Sequence, residues 1–395
     1  MTDASQQAST PPTAARVDHL ERSKIRVMFD LAAEHDGDPV RLHVGEPDFD
    51  TPEHVLDAAD RAARDGETHY TVNQGIAPLR EAVADELARE SDVTVSPEQV
   101  TVKSGAMEAL ALGTLAVADP GDEVVIPTPA WPNYYNHAAM AGATPVEVPL
   151  SADEGFDLDA DRVADAIGDD TAAVILTTPS NPTGRVYDED AISEVVDAAA
   201  AHDAYVFADE VYGRLTYDES FRGMASYVDH PERVLTVGSC SKTYAMTGWR
   251  LGWLAGPQQI VDAVTQLGES TTACSSSVSQ HAALAALTGP QEPVAEMKAA
   301  FEERRDYVVE RVADIDGVSC PRPEGAFYAF LDVSEFEGGS FDVAKRLLEE
   351  YGVVTAPGDG FGDAGEGYLR ISFANSLDRI ETGLDRIEEM ARAER

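Results

Sequence analysis

The chain has 395 residues, which at roughly 150 residues per domain allows two or three domains. Asp and Glu number 72 against 29 Lys and Arg, so the formal net charge is −43. This balance excludes a nucleic-acid clamp, which needs a basic face, and argues against docking on an anionic membrane. We interpret the acid excess as a solvated, self-repelling surface that salt screens, and we hypothesise a salt-rich cytoplasm, as in a halophile.

The N-terminal residues 1–16 are polar and lack the apolar core of a secretory signal, so we expect a flexible tail on a cytoplasmic protein. The three cysteines, Cys240, Cys274 and Cys320, indicate reduced thiols rather than a disulfide framework. No run reaches the ~18 apolar residues that a membrane helix needs. The histidines and cysteines show no ligand spacing, so no metal site is predicted.

Between about residues 95 and 260, short apolar runs alternate with helical patterns. Runs rich in Val, Ile and Leu with little polar alternation are typical of strands buried on both faces. Strand–helix–strand repetition predicts a mainly parallel sheet covered by helices. The predicted strands are Val100–Val102, Glu123–Pro127, Thr144–Val148, Ala172–Thr177, Ala204–Ala208, Arg233–Val237 and Leu251–Ala255, and the helices between them include Glu108–Val117, Leu158–Ile167 and Asp190–His202.

The pattern changes after a predicted helix at Pro257–Leu267. A smaller α+β unit follows, and the start of the chain is expected to join it because nothing before residue 50 fits the large sheet. The sequence thus predicts an α/β protein with an N-terminal segment at 17–49, a large domain at 50–285 and a small domain at 286–395. The elements of the smaller unit are the helical stretches Val17–Ala33, Pro293–Ile315 and Val343–Glu350 and the strands Arg41–Val44, Ala326–Leu331 and Tyr368–Phe373.

Polar side chains follow three successive predicted strands of the large sheet. Asn181 follows the first, Asp209 and Tyr212 the second, and Lys242, one of only five lysines, the third. Each alone is typical of a turn or a helix cap. Because ligands of open parallel sheets bind beyond the carboxyl ends of the strands, together they predict one functional crevice. A lysine there can have a lowered pKa and act as an amine nucleophile.

Two further features of this region suit an anion. Arg250 lies eight positions after Lys242, and an arginine can bind a phosphate or carboxylate with two parallel hydrogen bonds. The residues Ser104-Gly105-Ala106-Met107 lie between a predicted strand and a predicted helix, where small residues leave backbone N–H groups free for an anion. By itself the second feature is typical of an ordinary turn.

These motifs, taken in order, resemble the fold type I pyridoxal-phosphate enzymes, specifically the class I aminotransferases related to aspartate aminotransferase. The resemblance runs from about Ser23 to Asn375. It implies that family's two-domain architecture and a pyridoxal 5'-phosphate cofactor. It also implies transfer of the amino group of an L-amino acid to a 2-oxo acid, expected to be 2-oxoglutarate, by a two-step ping-pong mechanism. The motifs are Gly45-Glu46-Pro47-Asp48-Phe49, Tyr70, Gly75-Ile76, Leu79-Arg80, Ser104-Gly105-Ala106, Asn181-Pro182-Thr183-Gly184, Asp209-Glu210-Val211-Tyr212, Ser239-Cys240-Ser241-Lys242, Gly248-Trp249-Arg250 and Tyr368-Leu369-Arg370-Ile371-Ser372.

The resemblance implies a role for each residue near the cofactor ring. Lys242 forms the aldimine with the cofactor and, once freed, moves the proton from the substrate Cα. Asp209 faces the pyridine nitrogen and keeps it protonated, so that the ring withdraws electrons. Asn181 and Tyr212 hydrogen-bond the ring's phenolic oxygen. Trp131 stacks on the ring, although an ordinary core tryptophan is the alternative reading of that residue.

The resemblance also implies residues for the phosphate and the substrate. Tyr70 reaches the phosphate of a neighbouring subunit, which implies a homodimer with shared active sites. Arg370 binds the substrate α-carboxylate, which the Gly45 backbone also contacts. Trp131 and Asn181 are the other residues expected to contact the substrate. The smaller domain is expected to close when substrate binds. The phosphate is expected to contact Gly105, Ala106, Met107, Ser239, Ser241 and Arg250.

The amino donor stays open in the sequence. Dicarboxylate-specific branches of the family need a second cation, and one branch supplies a lysine in the segment where this chain has Met107. A neutral or aromatic donor is one alternative. Aspartate, with Arg22 or Arg26 supplying the cation, is the other.

Three other functions compete with the aminotransferase. A β-lyase on the same scaffold shares Lys242, Asp209 and Arg370, so the motifs separate it poorly. A non-catalytic cofactor-binding regulator needs a basic DNA-binding segment upstream, and the roughly 40 residues before the first motif are not basic. A nicotinamide dehydrogenase would use Gly360–Gly365, which satisfies G-x-G-x-x-G but leads into a predicted strand, so we interpret it as a glycine-rich loop.

Overall fold

A computed structural model describes residues 13–14, 17, 20, 22–35, 37–218 and 220–394. The predicted flexible tail, residues 1–16, lies outside the described residues except for Thr13 and Ala14. Among the helices of the described residues, none combines the length and the apolar composition that a membrane span requires.

Helices and strands alternate through most of the chain. The strands are β1 Val40–Arg41, β2 Val100–Lys103, β3 Glu123–Thr128, β4 Thr144–Pro149, β5 Thr171–Thr177, β6 Tyr205–Asp209, β7 Val234–Ser239, β8 Gly252–Ala255, β9 Tyr328–Asp332, β10 Val353–Val354, β11 Ala356–Pro357 and β12 Tyr368–Ser372. The α-helices are Lys24–Glu34, Glu53–Arg64, Ala77–Glu90, Ala106–Val117, Asn133–Ala141, Ala160–Asp165, Glu189–Ala201, Cys240–Thr243, Gln258–Thr271, Ser277–Thr288, Glu292–Ala313, Ser340–Tyr351 and Leu377–Ala393.

The large sheet has seven strands in the order β2-β8-β7-β6-β5-β3-β4. Strands β4, β3, β5, β6 and β7 run parallel, which confirms the mainly parallel sheet predicted from sequence. Strand β8, predicted as Leu251–Ala255, runs antiparallel to both of its neighbours. The physical reason is its connection: residues 240–251 contain only a four-residue helix and a 3-10 turn, so no longer helix carries the chain across a face of the sheet as a parallel crossover requires.

Both faces of this sheet are buried, which explains the nearly continuous apolar strands. In β5, Val174 and Leu176 pack on one face in a cluster that includes Val195 of the helix Glu189–Ala201. The alternate residues Ala173 and Ile175 pack on the other face. Successive side chains of a strand point to opposite faces, so burial on both sides favours apolar residues at successive positions.

A smaller unit combines the two ends of the chain, as the sequence predicted. Strand β1 pairs in parallel with β10, with Val40 opposite Val353, while β11, β12 and β9 form an antiparallel sheet. Strand β9 begins at Tyr328 rather than at the predicted Ala326, because Ala326 has φ +57, which is incompatible with a strand. The domain boundaries at residues 49/50 and 285/286 remain a prediction.

The glycine-rich segment 360–365 is a loop, as predicted. It contains a 3-10 turn at Asp363–Gly365 between β11 and β12, and no helix follows it. The phosphate-binding geometry of a dinucleotide fold needs a helix N-terminus at this point. The motif therefore does not support a nicotinamide dehydrogenase.

Candidate active site

The carboxyl ends of three neighbouring parallel strands bring the predicted crevice together. Thr177 at the end of β5 is paired with Asp209 at the end of β6, and Asp209 is paired with Val237 of β7. Asn181 follows β5, and Lys242 lies in the short helix directly after β7. The sheet register therefore places the amide, the carboxylate and the amine at one edge.

These groups open into one cavity of about 440 Å³. Its lining includes the predicted residues Gly45, Ala106, Met107, Trp131, Asn181, Asp209, Tyr212, Ser239, Ser241, Lys242, Arg250 and Arg370. Gly105 precedes the helix that forms one wall. Tyr70 is not among the described residues that line the cavity, and its side chain lies on the surface, 90% exposed.

Lys242 is held at the centre of the cavity. Its Nζ donates a 2.5 Å hydrogen bond to the carbonyl oxygen of Gly45 and lies 5.9 Å from the ring centre of Tyr212. The pKa of the amine is lowered to about 8, mainly by burial and also by the nearby positive charge of Arg370. At pH 7 about a tenth of such a lysine is neutral, far more than of an ordinary lysine with a pKa of ~10.4, and the neutral amine is the form that attacks a carbonyl or accepts a proton.

Asp209 is buried and lines the same cavity as Lys242. Its Oδ2 accepts a 2.6 Å hydrogen bond from the hydroxyl of Tyr134, which also lies 2.6 Å from Thr177 Oγ1. Burial raises the pKa of the carboxyl to about 6, although the Tyr134 hydrogen bond and the Lys242 charge favour the ionised form. A buried carboxylate needs a cationic partner, and a protonated ring nitrogen is a group of that kind.

Arg370 reaches the cavity from β12 and is also buried. Its Nη1 donates to Asn181 Oδ1 at 2.8 Å and its Nη2 to the carbonyl oxygen of His43 at 2.8 Å. The guanidinium stacks 4.3 Å from the ring centre of Tyr328, while its Nε is buried without a hydrogen-bond partner. A buried guanidinium with no carboxylate partner among these contacts is suited to binding a carboxylate ligand.

Another part of the cavity wall has groups that can bind an anion. The helix Ala106–Val117 begins here, and its first N–H groups have no partner within the helix. Gly105 has φ +90, and a Cβ there would lie 2.6 Å from Arg250 Nη2, so only glycine allows this approach. Ser239 and Ser241 add hydroxyl groups 2.9 Å apart. The cavity thus combines groups that can bind an anion, a buried carboxylate and an amine, and these suit the phosphate, the ring nitrogen and the aldehyde of pyridoxal 5'-phosphate.

Sequence reasoning missed several residues of this site. Tyr134 and Tyr328 each contact a predicted residue. The Tyr134 hydroxyl donates to Asp209, and the Tyr328 hydroxyl lies 2.9 Å from that of Tyr212. His43 is buried against Phe29, with ring centres 4.1 Å apart, and burial lowers its pKa to about 3. Tyr134 lies three residues after Trp131, so its position on the same segment was the one available signal. Within the described residues, no cluster of three or more His, Cys, Asp or Glu side chains could hold a metal ion.

Comparisons with known proteins identify the family of this chain. The family model "Aminotransferase class I and II" matches residues 37–387. The aspartate aminotransferase of Bacillus subtilis is 38% identical over 364 residues, covering 90% of this chain and 92% of that protein.

Solved structures give the same result. The structure of aspartate aminotransferase from Thermus thermophilus with maleate is 36% identical, covers 96% of this chain and 100% of that one, and has a TM-score of 0.92. An aromatic aminotransferase from Pyrococcus horikoshii is also 36% identical, covers 93% and 99% of the two chains, and has a TM-score of 0.87. The chain therefore belongs to the class I and II aminotransferases and is a pyridoxal-phosphate-dependent enzyme with the fold type I architecture.

Proposed function

We propose that this aminotransferase binds its cofactor covalently at Lys242, with Asp209 at the pyridine nitrogen and Asn181 and Tyr212 at the phenolic oxygen. Trp131 covers the ring. The phosphate lies against Ser239, Ser241, Arg250 and the backbone of Gly105, Ala106 and Met107. The observation that carries this proposal is the convergence of Lys242 and Asp209, both with shifted pKa values, at the ends of adjacent strands in one cavity.

When bound, the cofactor supplies an electron sink for the electrons left on the substrate Cα when its proton departs. In our proposal Asp209, as a carboxylate, holds a proton on the ring nitrogen, which keeps the ring electron-withdrawing. The Lys242 amine, about half of which is neutral at its pKa of about 8, would accept the proton from the substrate Cα as a general base. Arg370 binds the α-carboxylate and so fixes which Cα bond faces the amine.

The test is a half-reaction. Adding an amino acid without a 2-oxo acid is expected to change the absorbance of the purified enzyme between about 330 and 430 nm, the range in which the cofactor absorbs. Adding 2-oxoglutarate afterwards is expected to restore the first spectrum. Formation of free ammonia with no restoration would refute transamination and favour a β-lyase.

The donor we propose is a neutral or aromatic L-amino acid. The cations among the described residues lining the cavity are Lys242, Arg250 and Arg370, and each already has a proposed partner. Met107 and the acidic Glu46 line the remaining space. A second substrate carboxylate would therefore meet an apolar side chain and a like charge.

Neither N-terminal arginine lines the cavity within the described residues. Arg22 is paired with Asp30, and the guanidinium of Arg26 lies 5.6 Å from the ring centre of Phe29. These contacts support the neutral-donor proposal, because aspartate would need one of the two arginines to move.

Aspartate is the second candidate, because several relatives are named aspartate aminotransferases. Activity towards aspartate, alanine, phenylalanine and a branched-chain amino acid, each with 2-oxoglutarate, separates the two. A strong preference for aspartate would refute the neutral-donor proposal. Met107→Lys is the matched variant, and it is expected to raise activity towards aspartate relative to phenylalanine.

We further propose a homodimer in a cytoplasm rich in salt. The high exposure of Tyr70 supports the dimer, because an aromatic ring that is 90% exposed gains burial from a partner subunit. The net charge of −43 supports the salt-rich environment. Sedimentation of the purified enzyme and of Tyr70→Ala, with activity measured on both, tests the shared site.

A further inference from the structure

A buried polar network lies behind the catalytic lysine and does not line the cavity. Its centre is Tyr244, two residues after Lys242, which is 2% exposed. The Tyr244 hydroxyl lies 2.8 Å and 2.9 Å from the two carboxylate oxygens of Glu86, and it accepts a 2.8 Å hydrogen bond from Arg214 Nη1. Arg214 Nη1 also donates to Gln291 Oε1 at 2.8 Å.

Glu86 is an unusual residue for this position. It lies on the helix Ala77–Glu90 and is 6% exposed, and burial raises the pKa of its carboxyl. Removing a carboxyl group from water is unfavourable unless hydrogen bonds replace the lost hydration. Arg89 Nη2 at 3.1 Å, Arg214 Nη1 at 3.5 Å and the Tyr244 hydroxyl supply those partners.

The segment that carries Lys242 needs such support. The helix Cys240–Thr243 has four residues, which is too short to be stable through its own hydrogen bonds. At its start, Ser239 Oγ accepts a hydrogen bond from the Ser241 N–H. At its end stands Tyr244, whose side chain is anchored by Glu86 and Arg214.

The anchors come from three separate parts of the chain. Glu86 belongs to the helix Ala77–Glu90, Arg214 follows β6, and Gln291 immediately precedes the helix Glu292–Ala313. The Gln291 Nε2 donates to the carbonyl oxygens of Ala286 and Gly289 at 2.9 Å and 3.0 Å, so both the nitrogen and the oxygen of its amide are hydrogen-bonded. The network thus connects the lysine segment to elements distant in sequence.

We propose that Glu86 is a positioning residue for Lys242, acting through the Tyr244 hydroxyl, with Arg214 and Gln291 holding the pair in place. This inference rests on the proposed role of Lys242. The carboxylate does not touch the cofactor or the substrate. It fixes the direction in which the lysine segment presents its amine, and small displacements of a reacting group cost rate.

The test follows the covalent attachment of pyridoxal phosphate to the full-length protein after the cofactor has been removed, by absorbance over a range of pH. Tyr244→Phe, which removes one oxygen atom, and Glu86→Leu are each expected to slow attachment about tenfold. Glu86→Gln keeps an oxygen for Tyr244 and is expected to stay within about twofold of the unmodified protein. Combining Tyr244→Phe with Glu86→Leu should add little to either change alone, because both remove the same contact.

The matched control is Tyr217→Phe, which removes the hydrogen bond from another buried tyrosine hydroxyl to the carbonyl oxygen of Ala326. Its melting temperature is expected to fall while its attachment rate stays unchanged. If Tyr244→Phe behaves like this control, the network is only structural and the inference is wrong, even if Glu86→Leu does not fold. If the unmodified protein itself attaches no cofactor at Lys242, the proposed function fails instead.

Discussion

Lys242 Nζ donates a hydrogen bond of 2.5 Å to the carbonyl oxygen of Gly45, a residue 197 positions earlier in the chain. The contact joins the end of β7 in the large sheet to the segment that follows β1 in the smaller unit. The amine proposed to do the chemistry therefore lies where the two parts of the protein meet. Substrate bound at Arg370, which lies on β12 of the smaller unit, would face the same amine.

Lys242 is expected to titrate near its lowered pKa of about 8 in the protein freed of cofactor. Burial favours the neutral amine, so the labelling rate of Lys242 by an amine-reactive reagent should rise with pH and level off above about pH 9. Mass spectrometry of the labelled peptide measures this rate. A midpoint of the labelling curve at pH ~10.4, the pKa of an ordinary lysine, would contradict the lowered pKa of Lys242.

Asp209 is expected to make the cofactor-free protein less stable as pH rises. Its folded pKa of about 6 is above the unfolded value of ~3.9, so the folded state binds the extra proton between these values, and that stabilisation is lost as pH rises through about 6. Asp209→Asn has no such dependence. The difference in melting temperature, variant minus unmodified protein, should therefore be larger at pH 7 than at pH 4, and an unchanged difference would contradict the pKa assignment.

Asp209→Asn in the holoenzyme should lose activity severely, because an amide does not keep the ring nitrogen protonated. At pH 7 the Asp209→Asn variant is thus expected to gain stability relative to the unmodified protein when the cofactor is absent. When the cofactor is present, it is expected to lose catalytic rate. Opposite signs of the two effects distinguish an electrostatic role from a packing role. Retention of full activity would refute the assignment of this carboxylate.

Arg370→Lys is expected to reduce kcat/KM by about 10- to 150-fold, which corresponds to ~1.5–3 kcal/mol for hydrogen bonds to a charged group. A lysine keeps the charge but loses the paired geometry that suits a carboxylate. The loss should be similar for every amino donor, because all share the α-carboxylate. A loss confined to one donor would assign Arg370 to the side-chain pocket instead.

Salt is expected to stabilise the protein. With a net charge of −43, the folded state suffers self-repulsion, and dilute buffer screens this repulsion only between charges that lie farther apart than its long Debye length. The melting temperature should be more than about 5 °C higher in molar salt than in about 50 mM salt, where the Debye length is ~14 Å. Sodium chloride and potassium chloride should act alike if screening is the cause. Equal stability at both concentrations would remove the halophile hypothesis.

The sequence was sufficient for the parts of the site that depend on strand ends. Lys242, Asp209 and Asn181 could be predicted because each lies at or just beyond the carboxyl end of a buried strand, and parallel neighbours bring these ends together. The hydrogen bond from Tyr134 to Asp209 spans 75 positions and depends on how a helix packs on the sheet. No local pattern encodes such a contact, and the Glu86–Tyr244 pair, 158 positions apart, was missed for the same reason.

The central claim is that one amine holds the cofactor, and borohydride reduction of the pigmented enzyme followed by peptide mass spectrometry tests it most directly. The chain has five lysines, and Lys103 is an internal control because it too is buried and has a pKa lowered to about 8, yet it does not line the cavity. The account predicts that the reduced cofactor is found on Lys242 alone. Its recovery on Lys103 or another lysine, or on none, would contradict the account.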